Sequence, residues 1–358
     1  MRIWFNAGYS QTRDAILLIR QAAQERQMPV TIVASHARLD APARAAADID
    51  ATEPDKERHT PEGRMAYARW CLDFATAQQI DIFFAQRGRS AVQEIEHEFA
   101  AIGCKLVVAA PAATLDIIEN KARFYEACAD ANLPTPVSIP VTDVDGYRDA
   151  CETIKARGFD VCVKPSFGVF GSGYFRIVSE GSFFRQLMHI DDRVILHEYM
   201  ASAIAGAGSI SPFLVMQHLP GTEWSVDCLC DNGRILTGFV RSKRKHSQLI
   251  DANPVLMDLA ARVAAEFNLS NLVNIQFKSA SKDEDNPYIL EINPRMSGGC
   301  SYGALAGVNL PWLQFLHASG QLTPADLPVV RPTLAATVSQ AIDITSAGGV
   351  ARESHNHA

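Results

Sequence analysis

No two of the eight cysteines in this 358-residue chain stand at CxxC spacing. Cys71, Cys104, Cys128, Cys151, Cys162, Cys228, Cys230 and Cys300 are scattered, and only Cys228 and Cys230 share the face of one strand. A zinc or disulfide framework is therefore not expected, and reduced, buried thiols of a cytoplasmic protein are. No apolar run approaches the ~18–20 residues that cross a bilayer. Residues 1–6 show neither a charged leader nor an apolar h-region, so the expectation is no signal peptide and no membrane partner. Positive charge is in deficit: the formal balance is −7, which argues against a reader of nucleic-acid backbones. There is also no GxGxxG after the first strand, where Asn6-Ala7-Gly8-Tyr9 stands instead, and no Walker ending GK[ST]. Hydrophobic residues at 47% and charged residues at 20% supply cores for two or three units of roughly 100–200 residues each.

Residues 2–5, 30–34, 81–85 and 105–109 read as short buried strands, separated by helical patterns at 14–26, 63–78 and 91–102. Ser10 and Thr12 are available to cap the first of these helices. Alternation of strand and helix implies a parallel, Rossmann-like layer over residues 1–112. Residues 41–61 are polar and rich in alanine and proline, and read as a mobile connection. The texture changes after Pro111. A helix over 114–131 meets Asn132-Leu133-Pro134-Thr135-Pro136, and a second helix over 146–157 ends at Gly158. Strands at 160–164 and 174–178 form a hairpin across a glycine-rich loop, and 201–211 reads as a flexible, small-residue insertion. Strands at 214–218, 224–230, 235–240, 273–278 and 288–293, with one proline-started helix at 254–267, make a mainly antiparallel unit. The fold class is thus α/β followed by α+β, without internal repeats. The predicted divisions are 1–112, 113–200, 201–348 and a polar tail at 349–358, in which His355 and His357 are expected to be disordered rather than ligands.

The strongest chemical signal is Ile289-Leu290-Glu291-Ile292-Asn293-Pro294-Arg295. Strand alternation predicts that Glu291, Asn293 and Arg295 project together while Leu290 and Ile292 face away. Asn274-Ile275-Gln276-Phe277 should form the antiparallel partner and bring the Gln276 carbonyl oxygen beside Glu291 and Asn293. Hard oxygen donors of this kind suit magnesium or manganese, and Arg295 adds a cation where phosphoryl charge would build. A solvated sheet face could carry the same residues, so the remaining motifs decide. Lys164 follows the apolar Val161-Cys162-Val163 and leads into Ser166-Phe167-Gly168-Val169-Phe170-Gly171-Ser172-Gly173, a loop whose glycines let backbone amides approach an anion. Leu214 to His218 runs into Leu219-Pro220-Gly221-Thr222-Glu223. Its main-chain groups around Gln217 and Leu219 can meet an adenine edge, and Glu223 can accept from ribose hydroxyls.

These three pieces, in this order, resemble the ATP-grasp superfamily, and the metal-strand region is similar to the large subunit of carbamoyl-phosphate synthetase. The resemblance covers roughly residues 114–344. It implies an ATP-grasp fold after a Rossmann-like domain, with ATP and magnesium or manganese as cofactors. It also assigns Lys121, in Glu119-Asn120-Lys121, and Lys164 to the two phosphate-side lysines, and Met216 to Leu219 to the adenine hinge. The implied nucleotide set is Lys121, Lys164, Ser166, Gly168, Gly171, Ser172, Gly173, Met216, Gln217, Leu219, Glu223 and Leu290. The implied metal ligands are Gln276, Glu291 and Asn293, and the implied catalytic cations are Arg295, Lys164 and Arg241. Departures from the family pattern are Met216 at a position where many members carry glutamate, and Met296-Ser297-Gly298-Gly299 after Arg295, which weakens a bicarbonate-activating reading. The opening Arg2-Ile3-Trp4-Phe5-Asn6 is similar to ATP-grasp proteins encoded beside tellurium-resistance genes.

Lesser candidates are the basic cluster Arg241, Lys243, Arg244, Lys245 and His246, the Arg87-Gly88-Arg89 loop as a holder of a substrate carboxylate, and His197-Glu198-Tyr199 as a second hinge. The expected activity is an ADP-forming carboxylate–amine ligase that activates an acid as an acyl phosphate. Two alternatives stay open: an enzyme that stops at an acyl phosphate or carboxyphosphate, and a nucleotide-binding regulator. The partners are a small-molecule carboxylate and a nucleophile, and a homodimer is left open.

Overall fold

The computed structural model describes residues 1–8, 11–54, 60–168, 173–189, 193–207, 210–244, 247–281 and 286–335. Gly171, Ser172, Lys245, His246 and the tail histidines lie outside them, as does Ser10. Five parallel strands, β1 (Arg2–Asn6), β2 (Thr31–His36), β3 (Ile49–Thr52), β4 (Ile82–Phe84) and β5 (Lys105–Val107), form the first sheet in the order β3-β2-β1-β4-β5. Both faces are covered, as parallel sheets require. Ile3, Phe5, Ile32 and Phe84 pack toward the helix Gln11–Glu25, whereas Trp4, Val33, Phe83 and Leu106 share a core with residues of the helix Pro61–Gln78. Trp4 stacks on Phe83 with ring centroids 3.9 Å apart.

Several local expectations need correction. The stretch read as a mobile connection holds a short helix, Pro42–Ala46, and the edge strand β3. Ala43 and Ala46 are small enough to enter the core, and β2 supplies the missing backbone partners. Thr12 is a buried residue inside the first helix, not a cap on it. The helix expected over 91–102 is split at Ile95. The helix expected over 114–131 is split at Asn120, whose Oδ1 accepts from the amides of Ala122 (3.1 Å) and Arg123 (3.3 Å) and starts a fresh helix at Lys121.

A second sheet contains β6 (Ser138–Val141), β7 (Val161–Pro165), β8 (Phe175–Val178), β9 (Val194–Leu196) and β10 (Phe213–Gln217) in the order β6-β10-β7-β8-β9. Its pairs are antiparallel except β8 with β9. Thus β10, from beyond residue 200, is inserted between strands that precede that point. Residues 201–206 of the segment expected to be a flexible insertion are instead the end of a helix, His197–Gly206. Ala201 and Ile204, three apart and on one face, bury against the helix Val144–Ala156. His197 begins that helix, with Nδ1 3.1 Å from the Tyr147 hydroxyl, so His197-Glu198-Tyr199 is not a hinge strand.

The third sheet has the order β15-β14-β11-β12-β13-β16, from β11 (Glu223–Asp231), β12 (Arg234–Lys243), β13 (Gln248–Asp251), β14 (Asn271–Ser279), β15 (Pro287–Asn293) and β16 (Thr333–Ala335), all antiparallel. One face, with Val226, Val240, Ile275 and Ile292, is covered by the helix Pro254–Glu266. At one end of the opposite face, Leu229, Phe239 and Leu272 share a core with the helix Leu310–Ala318 and with first-domain residues such as Ile16 and Ile19. The other end of that face is polar, and it carries the site.

Candidate active site

Register explains why the polar end is a site and not a random solvent face. β11 places Glu223 opposite Lys278, Ser225 opposite Gln276 and Asp227 opposite Asn274, while β14 sets Asn274 against Asn293 and Gln276 against Glu291. Alternate residues of three adjacent strands thus put their polar side chains on one side. The pairing then slips: Phe277 faces Ile289, and Leu290 is the extra residue of a β-bulge. The bulge overturns strict alternation at this point, because Leu290 and Glu291 both line the cavity, whereas Ile292 is buried in the core behind the sheet as expected.

The amide and carboxylate groups are locked together. Asn293 Nδ2 donates to Glu291 Oε1 (3.0 Å) and to Asn274 Oδ1 (3.3 Å), and Gln276 Nε2 donates to the same Asn274 oxygen at 3.4 Å. With the amide nitrogens of Gln276 and Asn293 engaged in this way, the side-chain oxygens of Gln276, Asn293 and Glu291 form an all-oxygen donor set beside the cavity. No cluster of three His, Cys, Asp or Glu occurs among the described residues. One carboxylate and two amides fit a hard divalent ion that keeps phosphate and water ligands, not a zinc-type site.

Asn274 is fixed in turn by a buried ion pair. Its Nδ2 donates to Asp227 Oδ1 (3.0 Å), and Asp227 Oδ2 accepts from Arg241 Nε at 2.6 Å. The remaining guanidinium nitrogens of Arg241 donate to Gln248 Oε1 (2.6 Å) and Ser297 Oγ (2.9 Å). Arg241 therefore stands next to the donor set, but buried, and it does not line the cavity. The expected outcome of Arg241→Met is a loss of about 3–5 kcal/mol in denaturant unfolding, because Asp227 is left buried and unpaired. The double variant with Asp227→Leu should recover most of that loss.

The opposite wall comes from the second sheet and the helix Lys121–Asp130. Lys121 and Tyr125, four residues apart, share one helical face. Lys164 Nζ donates to the Tyr125 hydroxyl (2.9 Å), which donates to the Leu290 carbonyl at 2.7 Å, so the bulge is tied to the lysine. Burial pulls the Lys164 ammonium down to about 8; Glu291 opposes the shift and Lys121 adds to it. Lys121 is lowered by burial too, again against Glu291, and its Nζ donates to the Gly168 carbonyl (2.7 Å). Burial and Glu291 keep the Tyr125 phenol protonated. Tyr125→Phe should leave the ring packing intact and lower stability by about 1 kcal/mol, since a buried carbonyl loses its donor. Nucleotide titrations on this variant should show weaker binding by roughly three- to tenfold.

One cavity of about 600 Å³ joins these groups. It places Lys121, Lys164, Gly168, Met216, Gln217, Leu219, Glu223, Gln276, Leu290, Glu291, Asn293 and Arg295 around a common space. Glu223 pairs there with Lys243. Two members of the implied nucleotide set stand elsewhere. Ser166 is buried, its main-chain oxygen accepting from the Lys121 amide, and Gly173, in a left-handed conformation (φ 70°), packs on Pro165. Sequence reasoning missed Asn274, Asp227, Tyr125 and Lys278. Tyr125 had a visible signal in its helical spacing from Lys121, and Asn274 and Lys278 had one in their period-two spacing from Gln276, whereas Asp227 had none. Cys162, at the end near Met216, is held up at about 11 by burial, so it acts as a wall, not a nucleophile.

A parallel Rossmann-like sheet followed by two mainly antiparallel sheets that clasp one cation- and carboxylate-lined cavity is the ATP-grasp architecture. Residues 209–341 match the family described as "ATP-grasp in the biosynthetic pathway with Ter operon". The carbamoyl phosphate synthase large chain of Clostridium acetobutylicum is 24% identical over 199 residues, 51% of this chain. The chain spans only 17–20% of the length of the curated relatives it matches. Among solved structures, N5-carboxyaminoimidazole synthetase from Staphylococcus aureus superposes with a TM-score of 0.66 at 14% identity, over 93% of this chain and 81% of that one. The biotin carboxylase domain of Hydrogenobacter thermophilus 2-oxoglutarate carboxylase, solved with MgADP, ADP and bicarbonate, gives 0.60 at 17% identity, over 91% and 72%. Among the described residues no helix is long and apolar enough to cross a membrane.

Proposed function

We propose that this chain is an ADP-forming ligase: it uses ATP to convert a carboxylate into an acyl phosphate, which an amine or another nucleophile then captures. The observation that carries the reading is the single cavity in which Lys121 and Lys164 face the Gln276, Glu291, Asn293 and Arg295 cluster. The adenine would lie toward Met216, Gln217 and Leu219, the ribose at Glu223 and the phosphates between the lysines and β15. Gln276, Glu291 and Asn293 would hold magnesium or manganese, which when bound offsets charge on the phosphate oxygens.

A carboxylate oxygen attacks the γ-phosphorus as the bond to the β-bridging oxygen breaks, releasing ADP. Lys121, Lys164 and Arg295 offset the charge that spreads over the transferred group. The nucleophile then attacks the acyl carbon, phosphate leaves, and an amine nucleophile gives up a proton. Arg241 acts as a positioning residue: through Asp227 and Asn274 it sets the angle of Gln276 and Asn293. ADP release, measured with a panel of acids in the presence and absence of amines, tests the reading. Dependence on both supports ligation, and dependence on the acid alone makes the enzyme stop at the acyl phosphate. Tight nucleotide binding without ADP release under any combination would contradict catalysis.

A further inference from the structure

Beside the large cavity lies a second chamber of about 250 Å³, which shares Lys121, Gly168, Glu291, Asn293 and Arg295 with it and adds Arg89 of the first domain. A molecule in this chamber abuts the space assigned to the phosphates. Its charged walls carry three cations, Arg89, Lys121 and Arg295, against two carboxylates, Glu119 and Glu291, an excess of one positive charge among the described residues. Its other walls are apolar: Ile118, Phe124, Ile292, Pro294 and the exposed Phe167 of the glycine-rich loop.

Arg89 is placed by the first sheet. Asn6, at the end of β1, accepts from the Gln86 amide (2.7 Å) and donates to the Arg87 carbonyl (3.0 Å), and this fixes the loop after β4. Gly88, at φ 66°, turns the chain so that Arg89 reaches the Gln86 carbonyl and Glu119 Oε1, the latter at 2.6 Å. Arg89 Nε is itself covered and without an acceptor among the described residues, so the side chain meets the chamber through its other atoms.

We propose that this chamber binds the acid substrate, and that the substrate is a small organic monocarboxylate with an apolar body, not bicarbonate. The inference rests on the ATP reading above and narrows it. The volume would take on the order of eight waters, several times what a three-oxygen anion fills. An aliphatic or aromatic body gains by leaving water for Ile118, Phe124 and Phe167, whereas a fully hydrated anion loses by it. Lys121 and Arg295 also serve the phosphates and Arg89 is paired with Glu119, so the chamber has charge for no more than one carboxylate, which at the Arg295 end faces the transferred phosphoryl group.

The test uses the full chain with MgATP and hydroxylamine, which traps an acyl phosphate as a hydroxamate. It compares bicarbonate, acetate, branched aliphatic and aromatic monocarboxylates. Binding of a non-hydrolysable ATP analogue is measured separately by calorimetry. The expected result is ADP and hydroxamate formation with the apolar-bodied acids, with kcat/KM roughly tenfold or more above acetate and no turnover with bicarbonate. Arg89→Lys, and Phe167→Ala at an exposed position where folding is not at stake, should each raise the acid KM roughly tenfold and leave the ATP KM within about twofold. Turnover driven by bicarbonate, unchanged acid KM in both variants, or analogue binding without turnover on any of the organic acids would overturn the proposal while the ATP site stands. No analogue binding at all would overturn both.

Discussion

Glu291→Gln is expected to leave the chain folded and to lower acid-dependent ADP formation by roughly a hundredfold or more. The replacement is nearly isosteric, and a glutamine can still accept from Asn293 Nδ2, so β14, β15 and the bulge at Leu290 stay paired. What is removed is the one carboxylate of the all-oxygen donor set, and with it the strongest attraction for a divalent cation. The variant should therefore still unfold in one cooperative step, at a somewhat lower denaturant midpoint because two buried ammonium groups lose their opposing carboxylate, while the magnesium concentration needed for half-maximal turnover rises. The same change takes away the negative charge that opposes the depression of Lys164 and Lys121, so both ammonium groups should titrate lower still. Normal turnover in this variant would place the metal elsewhere.

Lys164→Met separates stability from function at one position. The folded-state value of about 8 lies below the ordinary 10.5, so between these limits the unfolded chain binds more protons and stability rises with pH. Below pH 8 the penalty for the buried charge is fully present, and methionine, of similar length and apolar, relieves it. The ligand-free variant should thus be at least as stable as the parent at pH 7, and its stability should climb less between pH 8 and 10.5, where only Lys121 of the pair still contributes. Turnover should fall by roughly a hundred- to a thousandfold, as for loss of a preorganised charge at a transferred group. Proton linkage gives a second readout. At pH 8 about half of the parent's Lys164 is neutral, and phosphate oxygens draw it back to the charged form. Nucleotide binding should then take up roughly half a proton at Lys164, measurable by calorimetry in two buffers of different ionisation heat, and the uptake should be smaller in the variant.

The parts of the site that could be read from the chain are those fixed by residue type and strand period. Glu291, Asn293 and Gln276 follow from alternation on two paired strands, and Lys164 follows from its place between an apolar strand and a glycine-rich loop. The bulge could not be read, because nothing in Tyr288-Ile289-Leu290-Glu291 marks Leu290 as the unpaired residue. That is set by how β14 and β15 meet in three dimensions. Arg241 illustrates a related limit. Its charge marked it as a candidate for ligand contact, but its partner Asp227 lies on the neighbouring strand, and only the register Ser225 to Arg241 and Asp227 to Asn274 reveals an inward-facing pair. In the first domain, residues 42–52 lack the long apolar run of a central strand because β3 is an edge strand and its preceding helix contributes only alanines to the core. Small side chains misled again at 201–206, where alanine and glycine suggested flexibility but supply a flat helix face.

The most direct test of the account follows oxygen atoms from substrate to product. The acid that supports the fastest ADP release is supplied with oxygen-18 in its carboxylate, and the phosphate formed with MgATP and a nucleophile is examined by mass spectrometry. Transfer of one labelled oxygen into that phosphate is the predicted result, because the attacking carboxylate oxygen leaves with phosphorus when the acyl phosphate is captured. Phosphate free of label, formed alongside ADP, would mean that water attacked the γ-phosphorus and that no acyl phosphate lies on the path.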